Sequence, residues 1–316
     1  MAQRVLVTGG AGFIGSHVAD RYLAEGYEVT VLDNLSSGRR ENVPAGAEFV
    51  RADVGAPEAR ELLAAGGFTG LNHHAAQMDV RVSVADPEFD ARTNILGLIN
   101  LLEGSREGGV ERVVFASSGG VVYGESDALP HPESAPKQPV SPYGVSKLAS
   151  EYYLAAYRQL HGIDVVSLRY ANVYGPRQSP HGEAGVVAIF GSRLKRGQEL
   201  TVFGDGEQTR DYVFVGDVAR ANLAATRWTL PPTCHIDDLA FNVGTATETS
   251  VQELAEALFD ATHRRVPVTR APARAGELQR SAVAYDRADR EWNWRPEVSL
   301  VNGLDLTYRW IAEQAA

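Results

Sequence analysis

Tyr143 and Lys147 stand four residues apart in Ser141-Pro142-Tyr143-Gly144-Val145-Ser146-Lys147, and Ser118 closes a hydrophobic run upstream of them. On a helix, positions i and i+4 share a face, so the phenol and the ammonium are expected to point into one space. A free tyrosine, with a pKa of about 10, is a poor base at neutral pH. A lysine charge beside it favours the phenolate, and a serine hydroxyl can bond the same oxygen. Such a set suits taking a proton from an alcohol while its carbon gives up a hydride, which points to redox chemistry on a sugar-like hydroxyl. Alone, Tyr-x-x-x-Lys is more often packing than chemistry, and it is the N-terminus that supplies a context for it.

The chain opens with Arg4-Val5-Leu6-Val7-Thr8 and then Gly9-Gly10-Ala11-Gly12-Phe13-Ile14-Gly15. An aliphatic, β-branched run, clustered glycines and an amphipathic stretch read as strand, tight turn and helix. Gly9 permits the turn, Gly12 lets a pyrophosphate approach the backbone, and Gly15 lets helix and strand pack closely. The helix N-terminus offers unpaired N–H groups and a partial positive charge to the phosphates. A second strand, Glu28 to Leu32, ends at Asp33, near the distance from the glycines expected of a ribose-binding acid. Asp33 can accept from an adenosine 2′-hydroxyl and would repel a 2′-phosphate, so NAD is expected over NADP. Arg39 and Arg40 read as ordinary solvated charges.

The elements that must hold these groups follow from the rest of the pattern. Strand-like runs recur at 5–8, 29–32, 49–52, 71–75, 113–117 and 165–168, separated by helical patterns, notably 87–106 and 142–161. This alternation predicts an α/β fold, a Rossmann-type doubly wound parallel sheet with right-handed crossovers. Gly12, Asp33, Asp53, Ala75 and Ser118 all fall at C-terminal ends of strands, where such sheets bind ligands. After about residue 170 prolines and glycines rise, as in Tyr174-Gly175-Pro176-Arg177, and the alternation loosens. Residues 1–170 are therefore expected to form the NAD-binding domain, with returns near 213–227 and 240–244. Residues 171–316 are expected to bind mainly the substrate.

At 316 residues, the length and a hydrophobic content of 44% suit a large core of one domain or two joined ones. Forty acids against 30 bases give a net charge of −10, which argues against a nucleic-acid partner. A single cysteine, Cys234, excludes an intrachain disulfide and a multi-cysteine metal site. No apolar run approaches the roughly 20 residues of a membrane span, and the first strand starts almost at once, so a cytoplasmic enzyme without a membrane partner is expected. None of the eight histidines is spaced as a ligand pair on a helix, so no metal is expected. His73 and His74, adjacent at a strand end, should point to opposite faces. They are read as structural or cofactor-packing residues.

Taken together, the glycine segment 8–15, Leu32-Asp33-Asn34, Ser117-Ser118, Tyr143-x3-Lys147 and Arg169-Tyr170-x-Asn172-Val173-Tyr174-Gly175-Pro176-Arg177 resemble the extended short-chain dehydrogenase/reductases, and among them the UDP-hexose 4-epimerases. The resemblance runs to Ala288-Asp289-Arg290-Glu291-Trp292-Asn293-Trp294. It implies C4 epimerisation of UDP-glucose and UDP-galactose through a 4-keto intermediate, with Tyr143 as proton acceptor, Ser118 on the same oxygen and Lys147 depressing the tyrosine pKa. It further implies that Phe13, Ile14, Asn34, Asp53, Val54, His74, Ala75, Ala76, Asn94 and Tyr170 join Gly9, Gly12, Gly15, Asp33, Tyr143 and Lys147 around NAD. On the substrate side it implies Asn172, Val187, Phe203, Arg210, Arg274 and Glu277. Ser281 falls at a gatekeeper position, where a small residue leaves room for an N-acetylhexosamine; a shifted loop alignment would put Tyr285 there instead.

Rival readings are a UDP-glucuronate 4-epimerase, or a dehydratase or decarboxylase of the same superfamily. The segment 117–124 carries no carboxylate for eliminating water, and Ser179 stands where glucuronate enzymes place an arginine. A different class would be a non-catalytic NAD-binding regulator, but Ser118, Tyr143 and Lys147 are all retained. A homodimer through a four-helix interface is expected, because 87–106 and 142–161 carry apolar residues on more than one face, such as Ile95, Leu98, Leu101, Leu102, Tyr153, Leu154 and Tyr157.

Overall fold

A computed structural model describes residues 3–126, 128–180, 185–273 and 278–314. In chain order the first elements are β1 (Arg4–Thr8), α1 (Phe13–Ala24), β2 (Glu28–Leu32), β3 (Glu48–Val50), α2 (Pro57–Ala64), β4 (Gly70–His73), α3 (Val80–Ala85), α4 (Pro87–Ala91), α5 (Gly97–Gly108), β5 (Arg112–Ser118), α6 (Gly119–Val122), α7 (Pro142–His161) and β6 (Asp164–Tyr170). Then come β7 (Asn172–Tyr174), α8 (Val186–Lys195), β8 (Leu200–Phe203), β9 (Thr209–Arg210), β10 (Tyr212–Phe214), α9 (Val215–Arg227), β11 (Ala240–Val243), β12 (Thr249–Ser250), α10 (Val251–Thr262), β13 (Val268–Ala271), α11 (Asp286–Trp292) and α12 (Leu300–Glu313).

Seven parallel strands form the central sheet in the order β11-β6-β5-β4-β1-β2-β3. The order reverses between β1 and β4, and the crevice at that reversal is where a doubly wound sheet binds its ligand. The middle strands are apolar runs because helices cover both faces. Leu6 of β1 joins Leu63, Leu98, Leu101, Leu102 and Leu154 on one side, while Val5 and Val7 join Val18, Tyr22 and Leu223 on the other. β11 places Phe241 and Val243 in the core beside β6, and α9 packs on α1. A separate core gathers Phe190, Leu194, Leu200, Leu254, Leu258 and Leu304 from α8, β8, α10 and α12.

Local chemistry sets the ends of the helices that matter. Ser141 caps α7 by accepting from the Gly144 N–H at 3.1 Å, Pro142 occupies the first turn, and Gly162 stops the helix with φ +72°. The helical pattern 87–106 is not one regular helix: the turn Arg92–Leu96 between α4 and α5 is π-helical. There Asn94 turns inward, where its amide donates to the Gln77 carbonyl and to Asp90 and accepts from the Gln77 N–H. The apolar residues expected to be surplus on these helices divide differently from the expectation. Leu98, Leu101, Leu102 and Leu154 are core, and the exposed face carries Phe89, Leu96, Val145, Tyr152 and Tyr153. Among the described residues no helix is long and apolar enough to cross a membrane.

Candidate active site

The turn after β1 is built for close approach. Gly9 has φ +68°, and a side chain on it would put Cβ 2.6 Å from the Ala75 nitrogen. A Cβ on Gly15 would collide with the Gly9 carbonyl, so α1 lies directly against the turn. Gly12 caps α1 without a side-chain acceptor, leaving the first-turn N–H groups of Phe13, Ile14 and Gly15 for an anion. Phe13 and Ile14 are half-buried beside it.

At the ends of β2 and β3 the Asp33 carboxylate accepts from the Ala11 N–H at 3.0 Å and the Leu35 N–H at 2.8 Å. Asn34 donates to Asp53 at 2.8 Å, and Asp53 also accepts from the Gly55 N–H. Val54 is buried beneath, its carbonyl held by Asn100. A carboxylate has about four lone-pair positions, so Asp33 retains acceptor capacity for a ribose hydroxyl.

Beyond β4, His73 bonds Thr8 at 2.7 Å and stacks on Phe115, whereas His74 bonds the Tyr170 hydroxyl at 3.1 Å and stacks on that ring. The two imidazoles do point apart. Burial and the nearby Lys147 charge lower both pKa values, that of His74 to about 3, so neither carries charge at neutral pH. The Tyr170 hydroxyl also accepts from Asn222 at 2.8 Å. His74 Nδ1 is a buried polar atom with no hydrogen-bond partner in the protein alone, on the edge of the same crevice as Ala75 and Ala76. A glycine cradle that Cβ atoms would fill, an uncapped helix start and this orphan nitrogen together fit a dinucleotide.

The triad comes together at the next strand end. Lys147, 3% exposed, donates from Nζ to the Ala116 carbonyl at 2.8 Å, two residues before Ser118, and lies 5.7 Å from the centre of the Tyr143 ring. Ser118 ends β5, is half-buried and precedes α6, which packs on α7. Burial lowers the Lys147 pKa to about 8, with Asp90 and Glu151 pulling it back up. The half-buried Tyr143 phenol moves opposite to the expectation from sequence. Burial and then the Asp90 charge raise its pKa, so the lysine alone does not produce a phenolate here.

Asn172 is exposed, and its Oδ1 and the Ser118 Oγ each lie 3.8 Å from the point where a Cβ on Gly120 would sit, so both face one space. Phe203 and Arg210 are half-buried at β8 and β9, Arg210 donating to the Thr209 carbonyl. Val187 is 2% exposed and belongs to the core around α8, so its side chain is spent on packing. Ser281 is 7% exposed, while Tyr285 packs against Trp294 at 6.2 Å, which argues against the shifted alignment. Arg274 and Glu277 lie outside the described residues.

Sequence reasoning missed Asp90, fully buried under α7, and the Arg169 network. Arg169 is fully buried and forks onto Glu151, which also accepts from Ser117 at 2.5 Å. Burial works against the Arg169 charge, but Glu151 outweighs it and holds the guanidinium protonated. The only available signal was an acid in the helical pattern four residues from Asn94. Among the described residues no cluster of His, Cys, Asp or Glu could hold a metal ion.

A sheet of this order with its crevice, cradle and Ser-Tyr-Lys set defines an NAD-dependent short-chain dehydrogenase/reductase site. The chain belongs to the NAD dependent epimerase/dehydratase family, whose model matches residues 5–244. It is 45% identical to the UDP-glucose 4-epimerase of Mycolicibacterium smegmatis over 99% of each chain. Its structure matches the Thermus thermophilus UDP-glucose 4-epimerase complexed with NAD at a TM-score of 0.92, 45% identical over 99% of this chain and 100% of that one. The Thermotoga maritima UDP-glucose 4-epimerase with UDP-glucose matches at the same TM-score, 44% identical over 98% of each.

Proposed function

We propose that this chain interconverts UDP-glucose and UDP-galactose by NAD-dependent epimerisation at C4, a step of galactose metabolism. The observation that carries the reading is Lys147 held beside the Tyr143 ring while bonding the Ala116 carbonyl, two residues before Ser118 at the end of β5. The relatives bound to NAD and to UDP-glucose support the cofactor and the substrate class. NAD, when bound, supplies a hydride acceptor for C4 that later returns the hydride, and a positively charged ring in the crevice.

Tyr143 takes the proton of the 4-hydroxyl and gives it back after the 4-keto sugar has turned its other face. Lys147, protonated below about pH 8, supplies positive charge beside a phenol that burial and Asp90 oppose ionising. Ser118 donates to the sugar oxygen as its charge changes. Asn172, Arg210 and, outside the described residues, Arg274 hold the diphosphate, Phe203 lies on the uracil, and Glu277 takes the ribose. Residues 1–170, with 213–227 and 240–244, bind NAD, and 171–316 bind mainly the UDP-sugar. Elimination is disfavoured locally, since the segment 117–124 supplies no carboxylate to act as its acid or base.

The exposed face of Phe89, Leu96, Val145, Tyr152 and Tyr153 supports a homodimer through α4, α5 and α7, and a monomer mass by light scattering would contradict it. The composition supports a cytoplasmic location. Tyr143→Phe tests the chemistry: NAD and UDP binding persist while turnover falls by about 10²–10⁴-fold. Near-normal epimerisation of UDP-galactose by that variant would overturn the reading.

A further inference from the structure

Asp90 is 0% exposed on α4, and among the described residues no salt bridge neutralises it. Three donors are turned on its two oxygens: Gln77 Nε2 at 2.9 Å and Asn94 Nδ2 at 3.0 Å on one, and the Ser146 hydroxyl on the other. Ser146 directly precedes Lys147 and follows Tyr143 by three residues. A completely buried carboxylate that receives only neutral donors is costly, because burying an uncompensated charge opposes folding. The arrangement is explained if the negative charge itself acts on the neighbouring pair.

We propose that Asp90 is a positioning residue for Tyr143 and Lys147: it fixes the start of α7 through Ser146 and its charge sets the pH window in which the two groups work. This rests on the roles given to them above. A negative charge stabilises an ammonium and destabilises a phenolate, so it must raise both pKa values together. The directions attributed to Asp90 at the two groups agree with that. The other titratable groups around Lys147 are Glu151 on its own helix and two neutral imidazoles, His73 at the end of β4 and His74 just after it, with the Phe115 ring face 4.7 Å from Nζ. Around Asp90, α3 contributes the Asp79–Arg81 pair, and α4 and the π-turn contribute Asp86 and the exposed Glu88–Arg92 pair. Glu151 is bound up with Arg169, so of the two acids beside Lys147 it is Asp90 that has no bonded cation among the described residues.

The test is the pH profile of kcat/KM for UDP-galactose in the NAD-loaded enzyme. Its two limbs report Tyr143, which must lose its proton, and Lys147, which must keep its own. Asp90→Asn keeps an acceptor for Gln77 and Asn94 and turns its amide to the Ser146 hydroxyl. Both limbs are expected to slide to lower pH, each on the order of one unit. Asp90→Glu restores the charge and should restore the limbs, and Ser146→Ala, which keeps the charge, should leave them in place. Should the amide not be tolerated, Asp90→Ser provides a second neutral variant for the same profile. Limbs that stay put in a folded neutral variant, or move apart, overturn the proposal. That failure is separate from failure of the function, which an active Tyr143→Phe would show.

Discussion

The cofactor cradle and the sugar-facing side are made of different material. The cradle is backbone against backbone: Gly9 against Ala75, Gly15 against the Gly9 carbonyl, and Asp33 gripped by two N–H groups. The side proposed to face the sugar is made of side chains, with Ser118, Asn172, Phe203 and Arg210 drawn from four separate strands. Backbone contacts cannot adjust, so the cradle suits a molecule that stays. Side chains can change rotamer, which suits a sugar that must turn over between two half-reactions.

The cradle should therefore break at the smallest intrusion. Gly15→Ala drives a methyl into the Gly9 carbonyl, and we expect a loss of about 1–3 kcal/mol of stability together with loss of co-purifying NAD. Thermal denaturation and the nicotinamide content of the purified protein measure both, and wild-type values for each would show that the turn is not close-packed.

A loss of the same order is expected where the segment carrying Ser281 is anchored. Asp211, 1% exposed, accepts from the Thr245 N–H and hydroxyl, the Ala246 N–H and the Val283 N–H, and so fixes the segment that carries Ser281. Asp211→Asn turns a donor toward these donors and should cost about 1–3 kcal/mol. Burial pushes the Asp211 carboxyl up to about 6. Because the folded value is raised, its proton-linked contribution to stability is full below about pH 4 and is lost as pH rises through about 6. The melting temperature of Asp211→Asn should accordingly depend less on pH between about 4 and 6 than that of the wild type. Parallel curves would remove Asp211 from the account.

The same contrast explains what could be read from the sequence. The sheet, the cradle and the Ser118, Tyr143 and Lys147 set were legible because each depends on local spacing: two-residue and 3.6-residue periods, glycines in a turn, and i,i+4 on one helix. The interruption at Arg92–Leu96 was not, because the π-turn goes with the tertiary bonds of Asn94 and not with any local periodicity. Asp90 and Glu151 were invisible for a related reason: they look like ordinary solvated helix acids until tertiary contacts bury them. The rise of the Tyr143 pKa likewise comes from burial and from a residue 53 positions away in the chain.

On the sugar side itself, Phe203→Ala removes a ring expected to lie on the uracil. Stacking of a base on an aromatic is worth about 1–3 kcal/mol, so KM for UDP-galactose should rise about tenfold or more with kcat little changed. A fall in kcat at constant KM would mean that Phe203 acts on the reacting sugar and not on its handle.

The subtlest change concerns which sugar can turn. Ser281 is buried and small, and Tyr285, the bulky residue that could have taken its place, is packed against Trp294. A 2-acetamido group must sweep with the ring during the keto stage, and a hydroxymethyl side chain leaves that arc open where a phenol would close it. The wild type should therefore convert UDP-GlcNAc and UDP-GalNAc as well as UDP-glucose and UDP-galactose. At the gatekeeper position that the resemblance implies for Ser281, the ring of Ser281→Tyr would stand in that arc. It should suppress the N-acetyl pair while leaving the hexose pair within a few-fold, a selective loss that the yielding side of the site permits and the cradle would not. Equal losses on both pairs would mean that the variant damages packing, and no UDP-GlcNAc turnover by the wild type, where UDP-galactose is converted, would close the gate altogether.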